Sequence, residues 1–202
     1  MKTNLIGIHG KARSGKDTAA AVIADYFGGY INSFATPIKQ ALKVILNESE
    51  LPDDDKKEGT IPDLGVTYRY LMQTLGTEWG RQLINPDIWV KIAERRVRNI
   101  KRLHKRGLTE TFAPLRLFVV VFPDVRFDNE AKWIRKNGGA IIHVVRRDCP
   151  EVNAHSSEAG ITPDNEDFVL YNRASTVDEF RGDVAELCAR GISHYINEGS
   201  KP

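Results

Sequence analysis

The sequence has little cysteine and no long apolar run, and these absences exclude several classes of protein. Only two cysteines, Cys149 and Cys188, occur in 202 residues, so a disulfide framework is not expected and a reducing cytosol fits. The longest apolar run, Leu115–Phe122, is interrupted by Arg116 and falls well short of the ~18 residues of a membrane span. The first residues read as a strand and lack a signal-peptide core. We therefore expect a cytoplasmic protein with no membrane partner.

Composition and charge are those of one ordinary globular domain. Hydrophobic residues make up 41% and charged residues 28% of the chain, which excludes a disordered or fibrous protein. The formal net charge is only +2, but Arg95–Arg106 holds seven basic residues and no acidic one, and the rest of the chain has 22 basic against 27 acidic residues. This pattern excludes a uniformly basic nucleic-acid-binding surface and leaves room for a local anion site.

Short apolar runs alternate with amphipathic segments along the chain. Helical spacing follows most of these runs, for example at Ala19–Phe27 after the first and at Val177–Leu187 after the last. Continuous apolar strands between helices predict an α/β fold with about five parallel strands and helices on both faces. The strands are expected over Leu5–Ile8, Tyr30–Phe34, Leu117–Phe122, Ala140–Val145 and Phe168–Tyr171.

The middle of the chain is expected to be mainly helical. Thr36 precedes Pro37 and is expected to be the N-cap of a helix that ends near Asn47. A polar stretch, Glu48–Gly65, predicts an exposed loop. Further helices are expected over Thr67–Gly80, from Asn85 to Gly107, and over Asp128–Asn137.

The segment Gly10–Thr18 matches the phosphate-loop pattern G-x-x-x-x-G-K. A buried strand precedes it and an amphipathic helix follows, which is the context that the pattern requires. Glycines allow successive backbone N–H groups to turn toward phosphate oxygens, and the helix N-terminus adds its positive dipole end. A lysine here contacts the β- and γ-phosphates. The alternative is a glycine-rich turn that merely starts a helix. The candidate nucleotide-binding residues are Gly10, Ala12, Arg13, Ser14, Gly15, Lys16, Asp17 and Thr18.

One position departs from the general pattern. The residue after Lys16 is normally Ser or Thr, whose hydroxyl ligates Mg²⁺, but here it is Asp17, followed by Thr18. A carboxylate also ligates Mg²⁺, directly or through water. Asp17 is therefore a candidate metal ligand.

A second acidic position follows the strand Leu117–Phe122. Asp124 stands at the carboxyl end of this strand, where parallel sheets bind ligands, so it is a candidate for holding Mg²⁺ or orienting a substrate phosphate. Arg126, two residues later, is a candidate phosphate clamp. The alternatives are that Asp124 caps a turn and that Arg126 pairs with Glu130.

Four polar residues lie four apart in the predicted helix Thr67–Gly80 and its end. A guanidinium binds phosphate bidentately and an amide reads a base edge, so this stripe suits an acceptor that carries both groups; a solvated face is the alternative. Trp79 and Trp89 belong either to the core or to a stacking platform. The stripe consists of Arg69, Gln73, Thr77 and Arg81.

Two other segments each admit two interpretations. Arg95–Arg106 forms either an exposed helix with its basic end near the C-terminus or a segment from which one or two arginines contact phosphate. The polar loop that contains His155–Glu158 is either a closing lid or an ordinary surface loop. His143 is interpreted as a core histidine, and Arg146 follows its strand at the edge of the crevice.

Together these motifs resemble the bacteriophage-type deoxynucleoside monophosphate kinases, within the nucleoside monophosphate kinase group of P-loop proteins. The resemblance runs from Ile6 to about Leu187. Its first block is shared by many kinases, whereas the later blocks together are more specific, and the aspartate after the lysine is a feature of this family. The resembling blocks are Gly10–Thr18, Phe34–Lys39, Leu71–Thr77, Trp89–Lys91, Pro123–Glu130, Gly139–Arg146 and His155–Gly160.

The resemblance implies transfer of the ATP γ-phosphate to a deoxynucleoside 5′-monophosphate, with Mg²⁺ as cofactor. It implies one P-loop kinase domain over residues 1–202, a three-layer sandwich with a helical acceptor-binding insertion at 48–107 and a lid at 149–165. ATP and the deoxynucleotide are the expected partners, no nucleic acid is required, and a homodimer is left open. A viral enzyme of this kind would act in the host cytoplasm.

The resemblance also implies roles for individual residues. Catalysis is assigned to Lys16, Arg13, Arg126 and Asp124, and metal binding to Asp17 and Asp124. Asn172 is expected where this group holds adenine. Acceptor binding is assigned to Lys39, Arg69, Gln73, Trp79, Arg81, Trp89, Asp124, Arg126, Glu130 and Glu158.

Two other functions are weighed against this one. A small-molecule kinase resembling dephospho-coenzyme A kinase shares the loop and the sheet, but its hydroxyl acceptor would call for a base such as Asp124. A nucleotide-dependent nucleic-acid-binding protein would use Arg95–Arg106, and its DNA binding would depend steeply on salt.

Overall fold

The structure is a computed structural model and describes residues 3–52, 57–107, 118–147 and 160–198. The chain forms two compact units. Phe34–Ala93 is one of them and is called the helical unit below. The segments on either side, which end at Ser33 and resume at Glu94, form the other, called the sheet unit. The helical unit therefore begins and ends earlier in the chain than the insertion at 48–107 that the resemblance implies.

The sheet unit contains a five-stranded parallel sheet in the order β2-β5-β1-β6-β7. The predicted α/β class and the strand number are therefore confirmed. β2 is shorter than the predicted Tyr30–Phe34 because the N–H of Ser33 donates to the side-chain oxygen of Asn32, which ends the ladder. The strands are β1 Thr3–His9, β2 Tyr30–Ile31, β5 Phe118–Phe122, β6 Ala140–Val145 and β7 Phe168–Tyr171.

Helices connect the strands close to their predicted bounds. α1 ends as expected, with Gly28 in the left-handed conformation. No helix of the described residues has both the length and the apolar character needed to cross a bilayer. The helices are α1 Lys16–Phe27, α2 Thr36–Leu46, α3 Tyr68–Gln73, α4 Ile88–Lys105, α5 Asp128–Lys136, α6 Val177–Leu187 and α7 Ser193–Glu198. Two π-helical segments, Thr74–Ile84 and Cys188–Ile192, and the helix α7 were not predicted.

The core of the sheet unit fixes the position of β1. Ile6 and Ile8 belong to one buried cluster, which also contains residues of α1 and α6. On Gly7 an added Cβ would lie 2.6 Å from Ile134 of α5 and 2.7 Å from Ile141 of β6. A side chain at this position would displace these isoleucines, because α5 packs closely on the backbone of β1. The close packing on both sides holds the segment that follows β1 in a fixed place.

The helical unit departs most from the predictions. The stretch Glu48–Gly65 is not only loop, because Thr60–Ile61 (β3) pairs antiparallel with Val66–Thr67 (β4). Thr36 is the first residue of α2 and not its N-cap, a position that Ala35 takes. The predicted helix Thr67–Gly80 is α-helical only to Gln73; Thr67 caps it through its hydroxyl, and wider π-helical turns follow.

The change to π-helical turns alters the predicted polar stripe. Its third member, Thr77, is buried, so the four polar side chains do not share one solvated face. The tryptophans separate as well: Trp79 is 44% exposed, whereas Trp89 is 4% exposed and donates its indole N–H to the carbonyl of Gly76 at 2.7 Å. Trp89 is thus a core residue, which was one of its two predicted interpretations, and Trp79 lies at the surface; the assignment of Trp89 as a substrate contact stays a prediction.

Candidate active site

All five strands of the sheet unit end at the same edge, and the candidate residues follow those ends. Because the strands are parallel, their carboxyl ends face one crevice. The chain leaves β1 for β2 on one side and later reaches β6 on the other, so β1 lies at the switch point of the topology. The residues that follow the strands are Asn32 and Ser33 after β2, Asp124 and Arg126 after β5, Gly10 after β1, Arg146 after β6 and Asn172 after β7.

The phosphate loop Gly10–Lys16 has the backbone of an anion-binding turn. Arg13 and Gly15 both adopt left-handed conformations, with φ of 61° and 103°, and conformations of this kind turn N–H groups into a concave nest. The N–H of Ser14 donates to the carbonyl of Lys11 at 3.2 Å. The Ser14 hydroxyl is buried and has no hydrogen-bond partner among the described residues. A phosphate oxygen would satisfy such a group.

The charged groups of the loop belong to the start of α1. The Lys16 ammonium donates to the carbonyl of Lys11 at 2.7 Å, so it folds back over the loop. Asp17 lies in the first turn of α1 and is exposed, as is Arg13. The loop therefore offers two exposed cations, Lys11 and Arg13, a further lysine held beside them, and a carboxylate one residue further along.

Two adjoining cavities lie along the phosphate loop and the ends of β6 and β7. The smaller, about 340 Å³, is bordered by the loop and by the start of α6, and the larger, about 500 Å³, by β6 and β7. Arg146, Asn172 and Ala174 border both. Cavities of this size are typical of small-ligand sites. The larger is lined by Val145, Arg146, Arg147, Tyr171, Asn172, Arg173 and Ala174.

Asn172 ties the end of β7 to the phosphate loop. Its side-chain amide donates to the carbonyl of Ser14 at 2.9 Å, and its backbone N–H donates to the carbonyl of Val145 at 2.8 Å. Asn172 is 9% exposed. It therefore borders both cavities, as expected for a nucleotide-site residue, and also holds the loop in place.

Asp124 lies at the carboxyl end of β5 and is held there by the turn after β2. The Ser33 hydroxyl donates to its Oδ2 at 2.7 Å. The turn itself is fixed to β5, because the N–H of Asn32 donates to the carbonyl of Val121 at 2.9 Å. A half-buried carboxylate is thus presented at the crevice edge, where the sequence places it.

Glu130 is a buried carboxylate at the start of α5. It is 2% exposed, and its Oε2 accepts the backbone N–H groups of Arg126 and Phe127 at 2.8 and 3.1 Å. These are N–H groups just before α5, so the carboxylate caps this helix. The burial and these bonds favour a structural role, and the role of Glu130 as a substrate ligand stays a prediction. The contact between Arg126 and Glu130 is made by the backbone N–H of Arg126, whereas the alternative predicted from the sequence was a side-chain pair.

Sequence reasoning missed His9, the last residue of β1. Its Nδ1 lies 2.9 Å from the carbonyl of Val125, which requires the proton on Nδ1. Burial lowers the pKa of His9, the bond to Val125 works in the opposite direction, and the positive charges of Lys16 and Arg126 lower it further. The imidazole is therefore held neutral beside the cations of the loop. A histidine directly before the first loop glycine was the signal in the sequence.

Behind His9 lies a polar network that includes His143. The rings of the two histidines meet edge to face, with centroids 5.4 Å apart. His143 Nε2 lies 2.8 Å from Oδ2 of Asp167, which also pairs with Arg135 at 2.5 Å. Burial would raise the pKa of Asp167, but the hydrogen bonds from Arg135, His143 and the N–H of Asp164 outweigh it and lower the pKa. His143 is thus a satisfied histidine, as predicted.

The remaining acceptor candidates lie within the helical unit. Lys39 is exposed on α2, and α2 packs against α3, which carries Arg69 and Gln73. Arg69 pairs with Glu58. On the π-helical segment, Arg81 donates to the carbonyl of Pro86 at 3.2 Å. Both arginines are half-buried and already have local partners.

The predicted lid lies largely outside the described residues. Glu158, Cys149 and the segment His155–Glu158 belong to that part of the chain, and only its end, from Gly160, is described. The roles assigned to Glu158 and to the lid therefore stay predictions.

The carboxylates present fit a magnesium ion of the kind that nucleotides bring. Within the described residues, no group of three or more His, Cys, Asp or Glu side chains is arranged to hold a metal. Mg²⁺ in kinases is typically held by one or two carboxylates together with substrate phosphates, and not by an all-protein cage. Asp17 and Asp124 match that donor set.

Comparison with known proteins gives one consistent family. A model of the family "Deoxynucleotide monophosphate kinase" matches residues 4–63 and 60–183. A protein of Acanthamoeba polyphaga mimivirus that bears the name of a deoxynucleotide monophosphate kinase is 32% identical, over 89% of this chain and 93% of its own. The deoxynucleoside-5′-monophosphate kinase of Escherichia phage T5 is 23% identical, over 91% of this chain and 95% of its own. Among solved structures, a gluconokinase from Sinorhizobium meliloti 1021 is similar with a TM-score of 0.43 and 14% identity, covering 96% of this chain and 97% of that one.

Proposed function

Because the chain belongs to the deoxynucleotide monophosphate kinase family, we propose that the crevice of its sheet unit transfers the γ-phosphate of ATP to a deoxynucleoside 5′-monophosphate. The observation that carries this proposal is the phosphate loop Gly10–Lys16, which lies directly after the buried strand β1 and has the backbone of an anion nest. The family relation also disfavours the two alternative functions.

The two adjoining cavities suit the parts of ATP. The larger, bordered by Arg146, Tyr171 and Arg173, is large enough for a nucleoside and offers an aromatic ring and guanidinium planes. The smaller borders Lys16, Asp17 and Thr18 and suits a polyphosphate, because the helix N-terminus and the loop N–H groups favour anions.

Asp17 and Asp124 are the residues that would hold Mg²⁺. The ion supplies charge compensation for the donor phosphates when it is bound. Asp17 has this role in place of the usual Ser or Thr hydroxyl.

The transfer itself needs little covalent chemistry from the protein. An oxygen of the acceptor phosphate forms a bond to the γ-phosphorus while the bond from that phosphorus to the β,γ-bridging oxygen breaks, which gives the deoxynucleoside diphosphate and ADP. The acceptor oxygen is already anionic, so no strong general base is required. Lys16, Arg13 and Arg126 offset the charge that the transferring group carries.

Acceptor recognition is assigned to the helical unit. Lys39, Arg69 and Arg81 offer cations for the 5′-phosphate, Gln73 offers an amide for a base edge, and the exposed Trp79 offers a ring face. Arg69 would exchange its partner Glu58 for the acceptor phosphate when the acceptor binds.

An acceptor panel tests the proposal. ADP release is measured with ATP and each of the four deoxynucleoside monophosphates, and with the four ribonucleoside monophosphates. We expect release that depends on at least one deoxynucleotide. ADP release that no deoxynucleotide stimulates would contradict the proposal and return the hydroxyl-acceptor kinase to consideration.

A further inference from the structure

One arginine of the basic run Arg95–Arg106 differs from the exposed cations around it. Arg96 is half-buried, and its Nη1 donates to the backbone carbonyl of Ser33 at 3.3 Å. Lys101 also has an internal contact, to the hydroxyl of Thr3 at 2.6 Å. The other five are exposed: Arg95, Arg98, Arg102, Lys105 and Arg106. Most of the run is thus a solvated helix face, whereas Arg96 contacts the crevice edge.

The residue that Arg96 contacts is the one that orients Asp124. Ser33 accepts from Arg96 through its carbonyl and donates to Asp124 through its hydroxyl. The N–H of Ser33 donates to Asn32, whose own N–H donates to β5. The turn after β2 is therefore bonded to Arg96, to Asp124 and to β5. The hydroxyl of Ser33 points toward Oδ2 of Asp124.

The charges of the two side chains complement each other. Burial lowers the pKa of Arg96, whereas the negative charge of Asp124 raises it. A guanidinium stays protonated under such conditions. Arg96 is therefore a cation placed in the field of Asp124 at the point where strands β2 and β5 end.

We propose that Arg96 is a positioning residue for phosphoryl transfer, which fixes the Ser33–Asp124 hydrogen bond and offsets the charge of Asp124 where an anionic acceptor phosphate approaches. The inference rests on the proposed function, since it concerns the role of Asp124 in that reaction. Without this cation, Asp124 would repel the acceptor phosphate and lose its fixed orientation. Neither Arg96 nor Asp124 lines the two cavities beside the phosphate loop, so the contacts of ATP there would be kept, and Asp17 would remain as a carboxylate for Mg²⁺.

The test uses steady-state kinetics with the deoxynucleotide that the acceptor panel identifies. We expect Arg96→Ala to lower kcat/KM for the acceptor by about 10-fold or more, as loss of a charge-assisted contact does, with KM for ATP changed less than about 2-fold. Arg96→Lys keeps the charge and should recover part of the loss. The matched control is Arg95→Ala, its exposed neighbour on the same helix, which should match the wild type.

A double-mutant cycle with Asp124→Asn separates positioning from a general structural effect. If Arg96 acts through Asp124, adding Arg96→Ala to Asp124→Asn should cause no further loss. Fully additive losses, or an Arg96→Ala protein with normal acceptor kinetics, would overturn the inference. An equal loss of ATP and acceptor binding with a lowered melting temperature would overturn it as well.

A second variant and the activity of the wild type complete the test. If Arg96→Ala does not fold, Ser33→Ala takes its place: it should show the same acceptor-specific loss, and full activity would refute the inference. If the wild-type protein transfers phosphate to no deoxynucleotide, the proposed function fails and this inference fails with it. If the wild type is active and the Arg96→Ala and Ser33→Ala variants are equally active, the inference is refuted and the proposed function stands.

Discussion

At the scale of single residues, Gly15 is a position in the phosphate loop that does not tolerate a side chain. It has φ of 103°, and an added Cβ would lie 2.7 Å from the ring of Phe180 and 2.9 Å from the side-chain amide of Asn172. Gly15→Ala would strain the backbone and break the contact between Asn172 and the loop. We expect ATP affinity, measured by calorimetry, to fall by about 10-fold or more, corresponding to the roughly 1–3 kcal/mol of such strain.

A second glycine gives the control for this substitution. Gly182 lies within α6, and an added Cβ there would meet nothing within 4 Å. Gly182→Ala should leave ATP affinity unchanged and raise stability slightly, because alanine favours helix by up to about 1 kcal/mol. Equal ATP affinity in both alanine variants would contradict the role given to Gly15.

Individual residues differ in how well the sequence predicted them. The pattern from Gly10 to Lys16 and the place of Asp124 after a strand were predictable, because both follow from local spacing and strand ends. The cap formed by Glu130 was not predictable, since the sequence does not distinguish a carboxylate that binds ligand from one that caps a helix; in the structure Glu130 is 2% exposed and caps α5. Arg96 was hidden among six other cations of one helix.

At the scale of elements, the N-terminus of α5 depends on the carboxylate of Glu130. It accepts two backbone N–H groups that have no intrahelical partners. Glu130→Ala should therefore lower the free energy of unfolding in urea by about 1–3 kcal/mol. The stability of Glu130→Gln should lie between those of the wild type and Glu130→Ala. The exposed Glu94→Ala on α4 is the control. A raised acceptor KM without any loss of stability would instead support the sequence-based assignment as a substrate ligand.

The ion pair between Arg135 of α5 and Asp167, the residue before β7, makes the stability of the protein depend on pH. Asp167 has a lowered native pKa, and its partners are Arg135 and His143. A carboxyl with a lowered native pKa contributes its full stability above the unfolded value, about 3.9, and loses that contribution as pH falls further, through the native pKa.

The corresponding variant is Asp167→Asn. It should be less stable than the wild type by roughly 1–3 kcal/mol at pH 7, and the difference should shrink as pH falls below about 4. Urea unfolding at pH 7, 4 and 3 measures this. A stability difference that stays constant over that range would show that ionisation of Asp167 does not stabilise the native protein.

Elements of the sheet unit were predictable and those of the helical unit were less so, for a physical reason. A strand that is covered by helices on both faces of its sheet is apolar along its whole length. Continuous apolar runs such as Phe118–Phe122 are therefore typical of buried strands. In the helical unit, π-helical turns begin at Thr74, and Trp89 packs on Gly80 and donates to the carbonyl of Gly76 within this segment. Hydrophobic spacing does not encode that change.

At the scale of the whole molecule, the net charge of only +2 does not show that cations occur in two different settings. One kind lies exposed along α4, including Arg98 and Arg102. The other kind is placed singly after strands and in the phosphate loop, as with Lys16, Arg126 and Arg146. The second kind suits small phosphorylated ligands at a focused site, which is what the family relation requires of this chain.

In the proposed reaction, this crevice passes phosphate from ATP to a deoxynucleoside monophosphate. The most direct measurement follows the label from γ-labelled ATP by chromatography, with the wild type, Lys16→Ala and the exposed control Lys136→Ala. We expect label in the deoxynucleoside diphosphate, at equal rates for the wild type and the control, and a rate at least about 100-fold lower for Lys16→Ala with an unchanged melting temperature. Label that appears only as inorganic phosphate, or near-normal transfer by Lys16→Ala, would contradict the account.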